Sequence, residues 1–71
     1  MFIVIEIQTN ETTSVIATAY ADRFKAESKY HTVLASASIS SVPIHSCTML
    51  TEEGMVIKND SYNHREESEN V

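Results

Sequence analysis

The chain has 71 residues, a formal net charge of −5, and one residue each of Cys, Gly and Pro. That length fits one small domain with a modest core, and a single Cys excludes an intramolecular disulfide and fits a reducing compartment. The acidic balance argues against a nucleic-acid surface, whose affinity comes mainly from Lys and Arg. The five bases are scattered along the chain, at Arg23, Lys25, Lys29, Lys58 and Arg65.

Residues 1–8 are almost continuously apolar, with Ile3, Ile5 and Ile7 on one face of a strand and Phe2, Val4 and Glu6 on the other. A strand apolar on both faces belongs in the middle of its sheet or is covered on both sides. This start has no basic leader and reaches an acid at Glu6, so it does not read as a signal peptide, and no run is long enough to span a bilayer. The expected location is cytoplasmic, with no membrane partner. A polar connection over 9–13 leads into a second strand over 14–21, and the pair reads as a β-hairpin.

Asp22 is placed to cap a helix by accepting from N–H groups of the first turn. Ala26, Tyr30, Val33, Leu34 and Ala37 then recur at helical spacing as one narrow, Ala-rich stripe. The helix is expected to stop near Ser38, ahead of Pro43, because a proline disfavours helical geometry in the residue before it.

Two further strands follow, over 44–50 and 55–62. Glu52-Glu53-Gly54 fits a three-residue hairpin loop, a type I turn closed by Gly in the left-handed conformation. That loop sets Thr51 opposite Met55. Continued without interruption, the register pairs Met49 with Ile57, Cys47 with Asn59 and His45 with Ser61 on one face. This face has the better apolar centre and is expected to meet the helix. Residues 64–71 contain one apolar side chain and cannot offset their ordering entropy by burial, so they read as a disordered acidic tail after a domain spanning 1–63.

The expected fold is therefore α+β: hairpin, helix, hairpin (ββαββ), with one helix on one face of a four-stranded sheet. Two strand orders suit it, a β-grasp-like 2-1-4-3 with the first and last strands parallel, or an all-antiparallel sheet. The apolar first strand favours the β-grasp order. One helix leaves the other sheet face open. Side-chain alternation assigns Phe2, Val4, Ile16, Tyr20, Ile44, Leu50, Val56 and Tyr62 to that open face. Clustered apolar side chains mark an interaction surface, and twofold pairing is the commonest way to cover one. A homodimer formed through these residues is the expected assembly.

Other chemistry is thinly supported. His45 and Cys47 lie two apart and share a strand face, and His31 on the helix completes a conceivable metal set, but no regular ligand spacing exists. A rim histidine and a small buried thiol account for the same residues. A Cys–His nucleophile needs imidazole and thiol within hydrogen-bond reach and an oxyanion donor; strand rise sets these Cα atoms about 7 Å apart with no obvious third group. Glu52 and Glu53 are explained by turn chemistry, and Tyr20, Tyr30 and Tyr62 lack the basic groove that base stacking needs. No enzymatic activity and no cofactor is expected. A small-molecule or metal site around His45 and Cys47 is the alternative to an interaction module.

The run 27–37, Glu-Ser-Lys-Tyr-His-Thr-Val-Leu-Ala-Ser-Ala, together with Val42-Pro43-Ile44-His45-Ser46, Met49-Leu50-Thr51-Glu52-Glu53-Gly54 and Tyr62-Asn63-His64, resembles an uncharacterised family of short bacterial proteins found in prophage-like regions. The resemblance extends from Ile5 to His64. It implies a phage-related accessory or structural role and carries over no catalytic residue, cofactor or mechanism.

Overall fold

A computed structural model describes residues 1–64 and shows the ββαββ order: β1 (Phe2–Thr9), β2 (Thr13–Tyr20), α1 (Arg23–Ser38), β3 (Ile44–Thr51) and β4 (Val56–Asn63). The strands form one sheet in the order β2-β1-β3-β4, and every neighbouring pair is antiparallel. The all-antiparallel arrangement holds, and the β-grasp order 2-1-4-3 does not. The first strand is central, as its two apolar faces require, but its inner neighbour is β3. The reason lies in β4, which carries Lys58, Asn59, Asp60 and Ser61 in succession. A strand this polar suits an edge, whereas β3 buries every second residue.

The helix forms where the capping residue predicts. Asp22 is extended, at φ −95° and ψ 123°, and its carboxylate accepts from the Phe24 N–H at 2.8 Å. Ala26, Tyr30, Val33 and Ala37 are the helical residues fully buried against the sheet, with Leu34 packed at the margin. The two alanines let the helix lie close to the sheet, and Tyr30 fills the space between helix and strands. The helix ends at Ile39, whose side chain is left in solvent.

The loop of the second hairpin also forms as read. The Gly54 N–H donates to the Thr51 carbonyl at 2.9 Å, the Thr51 N–H donates to the Met55 carbonyl at 2.9 Å, and Gly54 has φ +92°. One step further in, the ladder slips. Leu50 pairs with Val56, but Met49 pairs with Lys58, so Ile57 is the extra residue of a β-bulge. Every pairing beyond it is displaced by one: Cys47 faces Asp60 and His45 faces Tyr62, not Asn59 and Ser61. The bulge turns Ile57 and Lys58 toward the helix. Ile57 packs on the core, and Lys58 lies 5.9 Å above the Tyr30 ring and 3.9 Å from the Glu27 carboxylate.

His64 does not join the tail. Its backbone N–H donates to the Pro43 carbonyl at 2.7 Å, its Nε2 donates to the Ala37 carbonyl at 2.9 Å, and its ring stacks on Tyr62. These contacts close the end of β4 against the helix C-terminus. The rest of the expected tail, residues 65–71, lies outside the described residues.

A Cβ added at Gly54 meets no atom within 4 Å, so a substitution there costs backbone strain alone. Gly54→Ala is expected to destabilise the fold by about 1 kcal/mol. For a domain this size that is roughly a 4–8 °C fall in melting temperature, measurable by circular dichroism, and Gly54→Asn should lose less because Asn tolerates the left-handed region.

Candidate functional site

The β1–β3 register decides what each sheet face carries. Val4 stands opposite Met49 and Glu6 opposite Cys47, which sets the even-numbered side chains of β1 on the helix side. Val4, Cys47 and Met49 are fully buried there, in one cluster with Ala26, Tyr30 and Val33. Phe2 and Tyr20, opposite one another across β1 and β2, pack against the same cluster. This corrects the sequence reading for five of its eight interface residues. Phe2, Val4 and Tyr20 belong to the core side. Tyr62 is turned to the helix side by the bulge, where it faces His45 and stacks on His64. Ile16 is also on the helix side, opposite Glu6, but it lies beyond the cover of the helix and is 51% exposed. Ile44, Leu50 and Val56 are on the open face as expected.

The face that β3 offers the helix is the expected one: His45, Cys47 and Met49 are all buried. His45 is held by a partner the sequence reading missed. Its Nε2 lies 2.7 Å from the Glu6 Oε2, which also accepts from the Gln8 side chain at 2.9 Å. An ionised carboxylate only accepts, so Nε2 carries the proton and donates. The other ring nitrogen, Nδ1, is buried with no hydrogen-bond partner. Burial raises the Glu6 pKa, but the hydrogen bonds from His45 and Gln8, with the charges of His45 and Lys29, more than reverse it and leave it lowered. A lone acid in an otherwise apolar strand was the available signal, since such a residue must find a partner if it is to be buried.

Cys47 sits beside this pair. Burial, with the Glu6 charge behind it, pushes its thiol up to about 11. That is the opposite of the depressed pKa an attacking thiolate has. His31, the third residue of the metal alternative, is exposed on the helix and touches the edge of the Tyr30 ring. Among the described residues, no group of three His, Cys, Asp or Glu side chains is placed to hold a metal ion. Tyr30 is engaged elsewhere: its hydroxyl donates to Asp60 at 3.0 Å, and burial together with that acid pushes its pKa up to about 12. The helix side is thus a core with one internal polar pair and a polar seam to β4.

The open face is of another kind. Ile3, Ile5 and Ile7 run along its centre on β1, each half-buried. Val15, Ala17 and Ala19 flank them on β2, and Ile44, Ser46, Thr48 and Leu50 on β3. Val56, Asn59, Ser61 and Asn63 complete the face on β4, where the Asn59 amide donates to the Thr48 hydroxyl. Among the described residues, no Asp, Glu, Lys or Arg projects from a strand into this face. Glu6, Lys58 and Asp60, the charged residues of the four strands, all point to the helix side. No described helix is long and apolar enough to cross a membrane. Comparison of the chain with protein-family models, with curated proteins and with solved structures returned no match.

Two outcomes test this geometry. In the native protein Cys47 should resist a thiol reagent at pH 8 and react on adding denaturant; labelling at the rate of a free thiol would contradict its burial. Glu6 has a lowered folded pKa, so it adds stability above its unfolded value and loses it as pH falls through the folded one. Glu6→Gln should therefore lower stability at pH 7 by about 1–3 kcal/mol and flatten the loss that wild type shows below about pH 4.5. Urea titrations at pH 7 and pH 4 measure both.

Proposed function

We propose that the protein is a small interaction module that self-associates through the open face of its sheet. The observation that carries this reading is that the face is centred on three isoleucines and, among the described residues, receives no charged side chain from its strands, on a chain with ten acidic residues. A solvated sheet face ordinarily alternates apolar-in with polar and charged side chains out. Here the central strand does not alternate.

A second copy suits the face for two reasons. A face without charge meets its own copy with no like-charged side chains opposed across it, so a symmetric pairing needs no compensating residue. Its extent is also adequate. Four strands of eight residues give roughly 500 Å² in projection. Side-chain relief carries the accessible area toward the roughly 800 Å² per partner of a standard interface. An anionic partner, such as nucleic acid or an acidic membrane surface, finds no base on this face to hold it.

A phage-related accessory role is part of the same proposal and is supported by the sequence resemblance. A cytoplasmic location goes with it. The small-molecule or metal alternative at His45 and Cys47 has less support, because both side chains are buried under the helix and His45 is already engaged by Glu6.

Ile5→Glu places a charge at the centre of the face without touching the core. It should convert the associated species to folded monomer at micromolar concentration, read by light scattering after size exclusion with circular dichroism as the folding control. Tyr62→Ala, on the helix side, should leave the mass unchanged. A wild-type protein that is monomeric at 100 μM (on the order of the weakest association a dimer-dependent role tolerates), or an Ile5→Glu variant of unchanged mass, contradicts the reading.

A further inference from the structure

The two edges of the sheet are built differently. β4 is blunted by the devices that prevent edge-to-edge pairing: a bulge at Ile57, then Lys58 and Asp60 along the strand. β2 has none of them. Its eight residues, Thr-Ser-Val-Ile-Ala-Thr-Ala-Tyr, include no charge and no proline, and they pair with β1 along their whole length without a register shift. The strand is exposed over most of its length, with Val15 at 61% and Ile16 at 51%. As an edge strand without a register shift, and with β-branched Thr13, Val15, Ile16 and Thr18, it offers its outer backbone groups as a template for another strand.

The geometry points to a second copy of β2 as that strand, paired antiparallel about a twofold axis at Ile16. In one continuous sheet, directly opposed residues share a face, so the axis must pass through a residue position rather than between two. Centred on Ile16, the pairing opposes Ile16 to its own copy on the helix side. It opposes Val15 to Ala17 and Thr13 to Ala19 on the open face. The exposed surface of Ile16, which the helix does not cover, is then closed by the other Ile16, and Val15 is set against a small residue that leaves it room. Being uncharged, the strand opposes no like charges when it meets itself, and the match in length is automatic. This inference does not rest on the open face: Ile16 points to the opposite side of the sheet, so stacking of open faces leaves the two Ile16 side chains apart.

The test is oxidative cross-linking of single-cysteine additions on the full chain, with native Cys47 buried and silent. In the proposed pairing the two residues at position 16 have Cα atoms roughly 4.5–5.5 Å apart, within disulfide range. Those at position 14, on the same side of the same strand, are about 14 Å apart and out of range. Ile16→Cys should therefore form a covalent dimer under mild oxidation, at least ~10-fold faster than Ser14→Cys, a contrast that follows from the distance limit. Ile16→Cys combined with Ile5→Glu should cross-link as fast as Ile16→Cys alone, whatever Ile5→Glu does to the mass of the otherwise wild-type chain. Equal rates at positions 16 and 14, absence of a dimer at 16, or loss of the dimer in the Ile5→Glu background overturns the edge pairing. The fate of the open face is read separately from the mass of Ile5→Glu, so either interface can fail without the other.

Discussion

The antiparallel register between β1 and β3 is the constraint on which the rest of the structure depends. By setting Val4 against Met49 and Glu6 against Cys47, it decides which side chains of the central strand lie under the only helix described. A sheet strand has period two, so a shift of one residue would exchange its faces completely. The helix would then meet Ile3, Ile5 and Ile7, and Glu6 would stand in solvent. The observed register does the reverse. It takes a carboxylate into the core beside His45 and leaves a row of isoleucines uncovered.

This choice is not the one that simple burial of apolar surface favours. Three isoleucines carry more apolar area than Phe2, Val4 and Glu6 together with the desolvation of a charge. Two features make it consistent. Glu6 is desolvated, but the His45 and Gln8 hydrogen bonds together with the nearby His45 and Lys29 leave its pKa lowered, so the carboxylate form is held. The isoleucines, in turn, are consistent with burial against something other than this chain's own helix. The internal polar pair and the apolar outer face are then two consequences of one register, and the proposed second copy on that face would cover the area that the single chain leaves in water. The unguarded β2 edge belongs to the same picture, since both surfaces lack the charges that keep monomeric sheets apart.

Much of the fold was legible in the sequence because local chemistry and tertiary packing agree there. Asp22 caps the helix it precedes, Gly54 takes the left-handed turn, and the buried side of β3 follows from its alternation. What was not legible depended on long-range pairing. β1 is apolar on both faces, so alternation cannot tell its inside from its outside, and the one charged residue points the wrong way unless its distant partner His45 is known. The bulge at Ile57 has no glycine or proline to mark it, and by one residue it carried Tyr62 from the expected open face to the helix side. Strand order turned on β4 being too polar for the centre, a comparison between strands rather than a property of one. Alternation therefore placed Ile44, Leu50 and Val56 on the open face correctly, while the residues at the centre of that face, Ile3, Ile5 and Ile7, were the ones assigned inward.

The central claim is that Ile3, Ile5 and Ile7 project from the sheet side opposite the helix and are covered by a second copy of the chain. Solvent paramagnetic relaxation of the isoleucine methyl groups, followed over a dilution series, tests it most directly. The account predicts that the methyls of these three residues are shielded at high concentration and become accessible on dilution, while the Val4 methyls stay shielded throughout. Isoleucine methyls shielded at every dilution, with Val4 accessible, would mean that the faces are reversed; isoleucine methyls equally accessible at all concentrations would mean that no second copy covers them.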